Sequence, residues 1–223
     1  MAAGLAAVPR GQGGLHPSEQ NYAHCTSWDM LTVPKTGSSF ASAVLSESNC
    51  CGRVQWRFHS HLYRPCSIAT LREPCRRAVS SYAHLRTLYP RHWPGAAADV
   101  NEYVEALAQH WNLVAYHNPS ETTGLKHHLT LAMPQHLWIG NASRVICNER
   151  LTQELPAVFR SVGCCHVPSS MSHAEQRHRV SVDTNKSWTL TRAQANMSAE
   201  MCALVRRLYW QDHILYRHVC LRG

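Results

Sequence analysis

The sequence predicts an α/β protein in which a central parallel sheet is flanked by helices. Short apolar runs of strand length alternate along the chain with longer segments whose apolar residues recur at helical spacing. This alternation is typical of parallel sheets, because helices make the crossovers between parallel strands. A hydrophobic content of 44% in 223 residues suffices for one packed core. We therefore expect a flexible leader over residues 1–26 and a single domain over residues 27–223.

The predicted strands are short. The first is Trp28–Val33, which is mostly apolar. The second is Arg53–Phe58, in which apolar and polar residues alternate, and the third is the short apolar run Ser67–Leu71. A further short run, Arg144–Cys147, completes the predicted sheet.

The predicted helices carry apolar stripes and recognisable boundary residues. Pro74 suits the first turn of a helix, and Gly163 suits the end of another. The segment from 166 to 189 is polar without periodicity and is predicted to be a loop. The predicted helices are Ser38–Ser46, Pro74–Leu85, Asp99–Tyr116, Gly124–Met133, Glu149–Val162 and Ser198–Val219.

The chain is basic, with a formal net charge of +8 and 16 histidines. A basic surface suits an anionic partner, and nucleotides, acidic glycans, nucleic acids and membranes all qualify. No stretch reaches the roughly 18 apolar residues that a membrane span needs, so no span is expected. The apolar run within residues 1–14 is too short and broken for a secretion signal.

Cysteine usage indicates an oxidising compartment. Ten cysteines are present, with no CxxC pair and no zinc-type spacing. The adjacent pairs Cys50-Cys51 and Cys164-Cys165 are expected to bond to separate partners. Acceptor sequons for N-glycosylation at Asn141, Asn185 and Asn196 point in the same direction. Together these features favour a secretory lumen.

The segment Val33-Pro34-Lys35-Thr36-Gly37-Ser38-Ser39 joins the first predicted strand to a helix and has the layout of a phosphate-binding loop. Gly37 lets the backbone approach an anion, and the helix N-terminus directs N–H groups at it. Lys35 adds a charge, while Thr36, Ser38 and Ser39 add hydroxyl donors. The triphosphate pattern GxxxxGK[ST] is absent, because Lys35 precedes the glycine.

A second segment, Thr70–Tyr82, also suits a phosphate. Arg72 follows the third predicted strand, and Ser80 lies about two helical turns further on. A guanidinium offers a planar fork to a phosphate. By itself the segment is equally well explained as a strand-to-helix turn with solvated arginines.

Taken together, the two segments resemble sulfotransferases that use 3′-phosphoadenosine 5′-phosphosulfate (PAPS), whose PK[TS]G[TS][TS] and R[DE]PxxRxxSxY motifs occur in this order. The resemblance implies a P-loop-like three-layer fold and requires no metal. More loosely, Val145–Leu151 and Leu208–Tyr216 are similar to the late segments of Golgi carbohydrate sulfotransferases, so the Golgi lumen is the implied location. The residues implied for the 5′-phosphosulfate are Lys35, Thr36, Gly37, Ser38 and Ser39, and those implied for the 3′-phosphate are Arg72, Arg77 and Ser80.

The resemblance also implies roles in catalysis. Lys35 would neutralise charge on the bridging oxygen of the donor. The segment His59-Ser60-His61 resembles the HxH segment of heparan sulfate O-sulfotransferases, which makes His61 the first candidate for the base and His59 the second, with Glu47 as an alternative. The implied acceptor is a carbohydrate hydroxyl, an acidic polysaccharide being one option, and tyrosine stays open.

Other interpretations of the sequence remain at this stage. Arg177, Arg179 and Lys186 in the late loop are weak candidates for covering the donor nucleotide. A P-loop kinase would need a GK[ST] order and a magnesium-binding carboxylate, neither of which is evident. A degenerate sulfotransferase fold that only binds acidic glycan is also compatible. A nucleic-acid partner is not expected, and the oligomeric state is undetermined.

Overall fold

The computed structural model describes residues 25–48, 50, 54–57, 66–91, 96–115, 126–140, 142–167 and 191–221; for Ser39, residues 55–57, residues 126–128 and Arg192 it describes the backbone alone. These residues form a mixed α/β fold in which a small parallel sheet is flanked by helices, which confirms the predicted class. Most of the predicted leader lies outside the described residues.

Within the described residues the sheet has four parallel strands: β1 (Trp28–Leu31), β2 (Val54–Arg57), β3 (Ser67–Leu71) and β4 (Arg144–Cys147). The strand order is β2-β1-β3-β4, so the chain leaves β1 for one side and returns to the other. All of β1 and β3 is buried, as expected for parallel strands covered on both faces. The carboxyl ends of β1 and β3 therefore lie side by side, at the point where the strand order reverses.

In the described part of the chain, one helix follows β1, five follow β3, one follows β4 and three lie near the C-terminus. They are α1 (Ser38–Glu47), α2 (Pro74–Leu88), α3 (Val100–Gln109), α4 (Trp111–Ala115), α5 (Lys126–Ala132), α6 (Gln135–Ile139), α7 (Leu151–Ser161), α8 (Arg192–Ala195), α9 (Ala199–Leu208) and α10 (Trp210–Cys220), with a 3₁₀ turn over Asn148–Arg150. The short helix α6 was not predicted from the sequence.

Apolar side chains cover both faces of the sheet. On one face Met30 and Ile68 pack in a core formed with α1 and α7. On the other face Leu31, whose side chain points the opposite way from its neighbour, packs with Trp138 of α6 and Tyr216 of α10. A further core lies among helices, where α2, α3 and α9 meet through buried aromatic and aliphatic side chains: Tyr82, Leu85, Tyr103, Leu107 and Val205.

Two helices that the sequence predicts as continuous are interrupted. The first breaks at His110, which lets α4 pack against α5. The C-terminal helix breaks at Tyr209, where the backbone has φ −99° and ψ 41°. Because of this break, α9 packs on α2 and α3 while α10 packs on β4 and α6. A straight helix could not pack against both of these surfaces. The apolar stripe over Ser198–Val219 is unbroken in the sequence, and so the sequence predicts one continuous helix.

Disulfides join distant parts of the chain. Described bonds are Cys25–Cys66, Cys50–Cys164, Cys75–Cys202 and Cys147–Cys220, and Cys165 is also disulfide-bonded. Cys50 thus bonds away from its sequence neighbour, as predicted. Bonds of this kind persist in oxidising compartments, which indicates a secreted or lumenal protein.

Among the described residues, no helix combines the length and the apolar character that crossing a bilayer demands.

We expect the double substitution Cys147→Ser and Cys220→Ser to lower the free energy of unfolding by about 2–5 kcal/mol, because the bond closes a long loop and restricts the unfolded chain. Chemical denaturation under oxidising conditions measures this difference. In a strong reductant the wild type and the variant should unfold at similar denaturant concentrations. Equal stability under oxidising conditions would contradict the pairing.

Candidate functional site

The loop between β1 and α1 has a constrained backbone. Lys35 has a φ of 64° and Gly37 a φ of 96°, so two residues of one turn lie in the left-handed region. A non-glycine residue there costs on the order of 1–2 kcal/mol, and such strain is concentrated at functional sites. Two features favour glycine at position 37: its left-handed φ, and the lack of space for a Cβ, which would lie 2.5 Å from the Asn148 side-chain nitrogen and 2.7 Å from a methyl of Leu151, so that both side chains would have to shift.

Thr36 holds this loop from the inside. Its side chain is fully buried, and its hydroxyl donates to the Val33 carbonyl at 2.8 Å and shares a hydrogen bond with the hydroxyl of Thr70 on β3. Its carbonyl accepts from the Asn148 side-chain amide at 2.9 Å. The hydroxyl is thus occupied by protein partners, so any contact of Thr36 with a ligand would have to come from its backbone N–H.

The N-terminus of α1 follows the loop directly. Gly37 is the N-cap and provides no side-chain hydrogen bond, and the first turn contains no acidic residue. The first intrahelical bond runs from the Ala41 N–H to the Gly37 carbonyl, so the preceding N–H groups have no partner within the helix. Ser38 is partly buried at this terminus. The terminus can therefore receive an anion through backbone N–H groups.

Arg72 reaches the same loop from the end of β3. Its Nη1 donates to the Lys35 carbonyl at 3.3 Å. Its Nε is buried and has no hydrogen-bond partner within the described part of the chain. Burial also lowers the pKa of the guanidinium. A buried donor of this kind suits a ligand oxygen, because burying it without an acceptor is costly.

Arg77, which the resemblance implies for the 3′-phosphate, lies close to the loop and is almost fully buried. Only 3% of it is exposed, and its Nε donates to the Pro34 carbonyl at 3.0 Å. Its Nη2 donates to the carbonyls of Met133 at 2.7 Å and Leu131 at 3.2 Å, and its guanidinium lies over the Tyr209 ring. Most of its donors therefore serve the protein, although its charge stays close to the loop.

Helix periodicity separates the residues of the second motif. Residues four apart lie on the same face, so Arg77 and Ser81 share the buried face of α2. Ser81 donates to the Leu131 carbonyl, and Tyr82 donates to the Ala97 carbonyl. Ser80 is only partly buried and shares its face with the exposed Arg76. The face that remains available to a ligand is that of Ser80.

The charges at this site are mostly of one sign. Burial, together with the neighbouring guanidinium groups of Arg72 and Arg77, lowers the pKa of the Lys35 ammonium to about 8. Glu149 and Glu73 act on Arg72 in the opposite sense. Three cations converging at adjacent strand ends repel one another, and a bound anion would relieve that repulsion.

Of the candidate bases, Glu47 belongs to the described residues, whereas His59 and His61 lie outside them, as do Arg177, Arg179 and Lys186. Glu47 is the last residue of α1, about 14 Å along the helix axis from its first residue. Glu47 therefore lies at the end of α1 away from the loop.

Sequence reasoning missed two residues that hold the site. Asn148, directly after β4, donates to the Thr36 carbonyl and packs against Gly37. Gln135 pairs with the backbone of Arg72, its Oε1 accepting from the N–H and its Nε2 donating to the carbonyl, both at 2.9 Å. Asn148 could have been noticed as a polar residue at a strand end, whereas Gln135 lies in a region without a recognisable pattern.

One group of metal-ligand residue types occurs in the described part of the chain, comprising Glu73, Cys75 and Cys202. The two sulfurs form a disulfide with each other and so are not thiolate ligands.

Comparisons with family models, with curated proteins and with solved structures each found no match to the chain. The functional assignment therefore depends on the site geometry and on the resemblance of the two motifs.

We expect Gly37→Ala to destabilise the protein by about 2–4 kcal/mol, since it combines left-handed backbone strain with overpacking against Asn148 and Leu151. The free energy of unfolding from urea denaturation tests this. Gly140→Ala is the control for strain without a clash, because a Cβ there would meet nothing within 4 Å. An unfolding free energy of Gly37→Ala equal to that of wild type would contradict the loop conformation.

Proposed function

We propose that this protein is a sulfotransferase that moves the sulfuryl group of PAPS to a hydroxyl group of a carbohydrate acceptor. One observation carries the proposal: Lys35, Arg72 and Arg77 converge on a strained loop at the carboxyl ends of two adjacent parallel strands. In open α/β sheets, ligands bind where the strand order reverses. We further propose that the sheet and its helices form the P-loop-like three-layer fold that the motifs imply.

The donor fits the residues that are available. Its 5′-phosphosulfate would contact Lys35 and the N-terminal N–H groups of α1. Its 3′-phosphate would accept hydrogen bonds from Arg72, whose buried Nε has no described partner, and from Ser80. Thr36 and Arg77 would act behind them by fixing the loop, and Ser39 remains a candidate ligand by sequence alone.

Sulfuryl transfer needs a positive charge near the leaving group and a base for the acceptor hydroxyl. The bound donor supplies a sulfuryl group attached to a phosphate leaving group. Lys35 places a positive charge at the loop where negative charge grows on the leaving oxygen, and the oriented N–H groups of α1 add to it. Following the motif resemblance, His61 would take the proton from the acceptor hydroxyl, with His59 as the second candidate. No residue in this scheme requires a metal.

The compartment and the acceptor follow from coarser features. The disulfides fit a lumenal enzyme, and we propose the Golgi lumen because the late segments resemble Golgi sulfotransferases. The net charge of +8 favours an acidic polysaccharide among carbohydrate acceptors.

We expect Lys35→Ala to reduce sulfate transfer by about 10²–10³-fold, the usual effect of removing one group that stabilises developing charge. The assay uses labelled donor with a panel of glycans and a tyrosine peptide. Arg160→Ala is the matched control, because it removes one positive charge from an exposed position on α7 and should retain wild-type transfer. Wild type that neither binds 3′-phosphoadenosine 5′-phosphate nor transfers sulfate would refute the proposal. Binding without transfer would instead favour the degenerate glycan-binding alternative.

The affinity for 3′-phosphoadenosine 5′-phosphate should fall as pH rises through about 8, because Lys35 loses its charge there in the free protein. Between about pH 7 and pH 8 the ammonium is charged in both free and bound protein, and the ligand's phosphate groups, whose second pKa is about 6, are ionised, so the affinity should be nearly constant. Calorimetric titration at pH values from about 7 to about 9.5 measures the profile. In Lys35→Met the same profile should be flat, and an identical decline in that variant would assign the titration to another group.

A further inference from the structure

One side chain, that of Gln135, binds both polar groups of the Arg72 main chain. Because β3 ends at Leu71, the N–H and carbonyl of Arg72 need partners beyond the sheet. The Gln135 amide supplies both, at 2.9 Å each, and Gln135 is itself fully buried. This two-point contact fixes the direction in which the Arg72 side chain leaves the backbone.

Gln135 is positioned in turn by Asp212. The Asp212 carboxylate, which is fully buried on α10, accepts from the N–H of Gln135 at 2.7 Å and from the N–H of His136 at 2.8 Å. It also pairs with the His136 ring nitrogen Nδ1 at 2.7 Å. Helix α6 has no N-cap side chain of its own and spans five residues, so this remote carboxylate caps it.

The segment before Gln135 is held by α2 and by Tyr209, which lies at the break between α9 and α10. The carbonyls of Leu131 and Met133 accept from Arg77, and the carbonyl of Ala132 accepts from the Tyr209 hydroxyl. Consecutive carbonyls are therefore occupied up to the start of α6. With these anchors in place, a shift of the α6 N-terminus is transmitted to Arg72 through Gln135.

We propose that Asp212 and Gln135 are positioning residues that set the Arg72 guanidinium for the donor's 3′-phosphate. This inference rests on the proposed function, because it takes Arg72 as a ligand of that phosphate. A buried carboxylate is costly unless several donors satisfy it. The backbone N–H groups that Asp212 accepts from belong to the N-terminus of α6, the short helix whose Gln135 contacts Arg72. These contacts form a chain from Asp212 on α10, through Gln135 at the N-terminus of α6, to Arg72 at the end of β3.

The test measures binding of 3′-phosphoadenosine 5′-phosphate by calorimetry. Gln135→Met removes the amide at nearly constant volume, and Asp212→Asn removes the charge and half of the acceptor capacity. Each should raise the Kd about tenfold, or about 1.4 kcal/mol. The double substitution Cys25→Ser and Cys66→Ser is the control, because it destabilises the protein at the amino ends of β1 and β3, away from the loop, and should leave the Kd unchanged.

A double-substitution cycle separates positioning from general structural damage. If Gln135 acts through Arg72, Gln135→Met should change the Kd less than twofold in an Arg72→Ala background. A purely structural role would give the full tenfold effect in both backgrounds, and that result would overturn the inference.

Hydrogen exchange of the free protein gives a second measure that needs no ligand. Asp212→Asn and Gln135→Met should each speed exchange of the Arg72 amide, which loses its acceptor or the support of that acceptor. Unchanged exchange of the Arg72 amide in both variants overturns the inference, and where Asp212→Asn speeds exchange throughout the core, Gln135→Met alone decides. Failure of wild type to bind the nucleotide overturns the proposed function and this inference with it, whereas unchanged Kd values in both variants overturn this inference alone.

Discussion

The repulsion among three cations at the ends of β1 and β3 is the constraint on which the rest of the site depends. Lys35, Arg72 and Arg77 converge there, and burial increases the cost of bringing them together. Backbone carbonyls of the loop offset part of this repulsion by accepting hydrogen bonds from the two guanidinium groups. The Lys35 carbonyl accepts from Arg72 and the Pro34 carbonyl accepts from Arg77. The left-handed turn at Lys35 and the two arginines therefore stabilise each other, since the turn presents the carbonyls that the guanidinium groups require.

Cross-links hold the same edge of the sheet. Cys75, three residues beyond Arg72, is bonded to Cys202 of α9, and Cys147, the last residue of β4, is bonded to Cys220 of α10. The C-terminal helices are thereby fastened beside the loops that follow β3 and β4. Asp212 belongs to α10, so the Cys147–Cys220 bond also restrains the position of its contact with α6. A site preorganised in this way loses less entropy when a ligand binds.

Local pattern predicted the sheet and the two motif loops, because strands and the glycine turn at Gly37 are encoded by neighbouring residues. It could not predict contacts between residues distant in sequence. Gln135 lies 63 residues from Arg72 and 77 from Asp212, and neither pairing leaves a periodic signal. The helix breaks at His110 and Tyr209 were missed for the same reason, since packing against different neighbours decides them. The inward direction of Thr36 likewise depends on Thr70 of the next strand.

The position of Arg77 shows how a motif can combine two kinds of residue. Arg76 and Arg77 are adjacent in sequence, yet they point about 100° apart around α2. Arg77 turns inward with Ser81 and ties the loop at Pro34 to the segment before α6. Arg76 turns outward on the face of Ser80, where its guanidinium lies 3.9 Å from Glu149. A phosphate bound between Arg72 and Ser80 would therefore find Arg76 as its next cation, while Arg77 supplies the frame that keeps the loop in place. Arg77 occupies the motif position and Arg76 a variable one, yet helix geometry turns Arg76, and not Arg77, toward the face of Ser80.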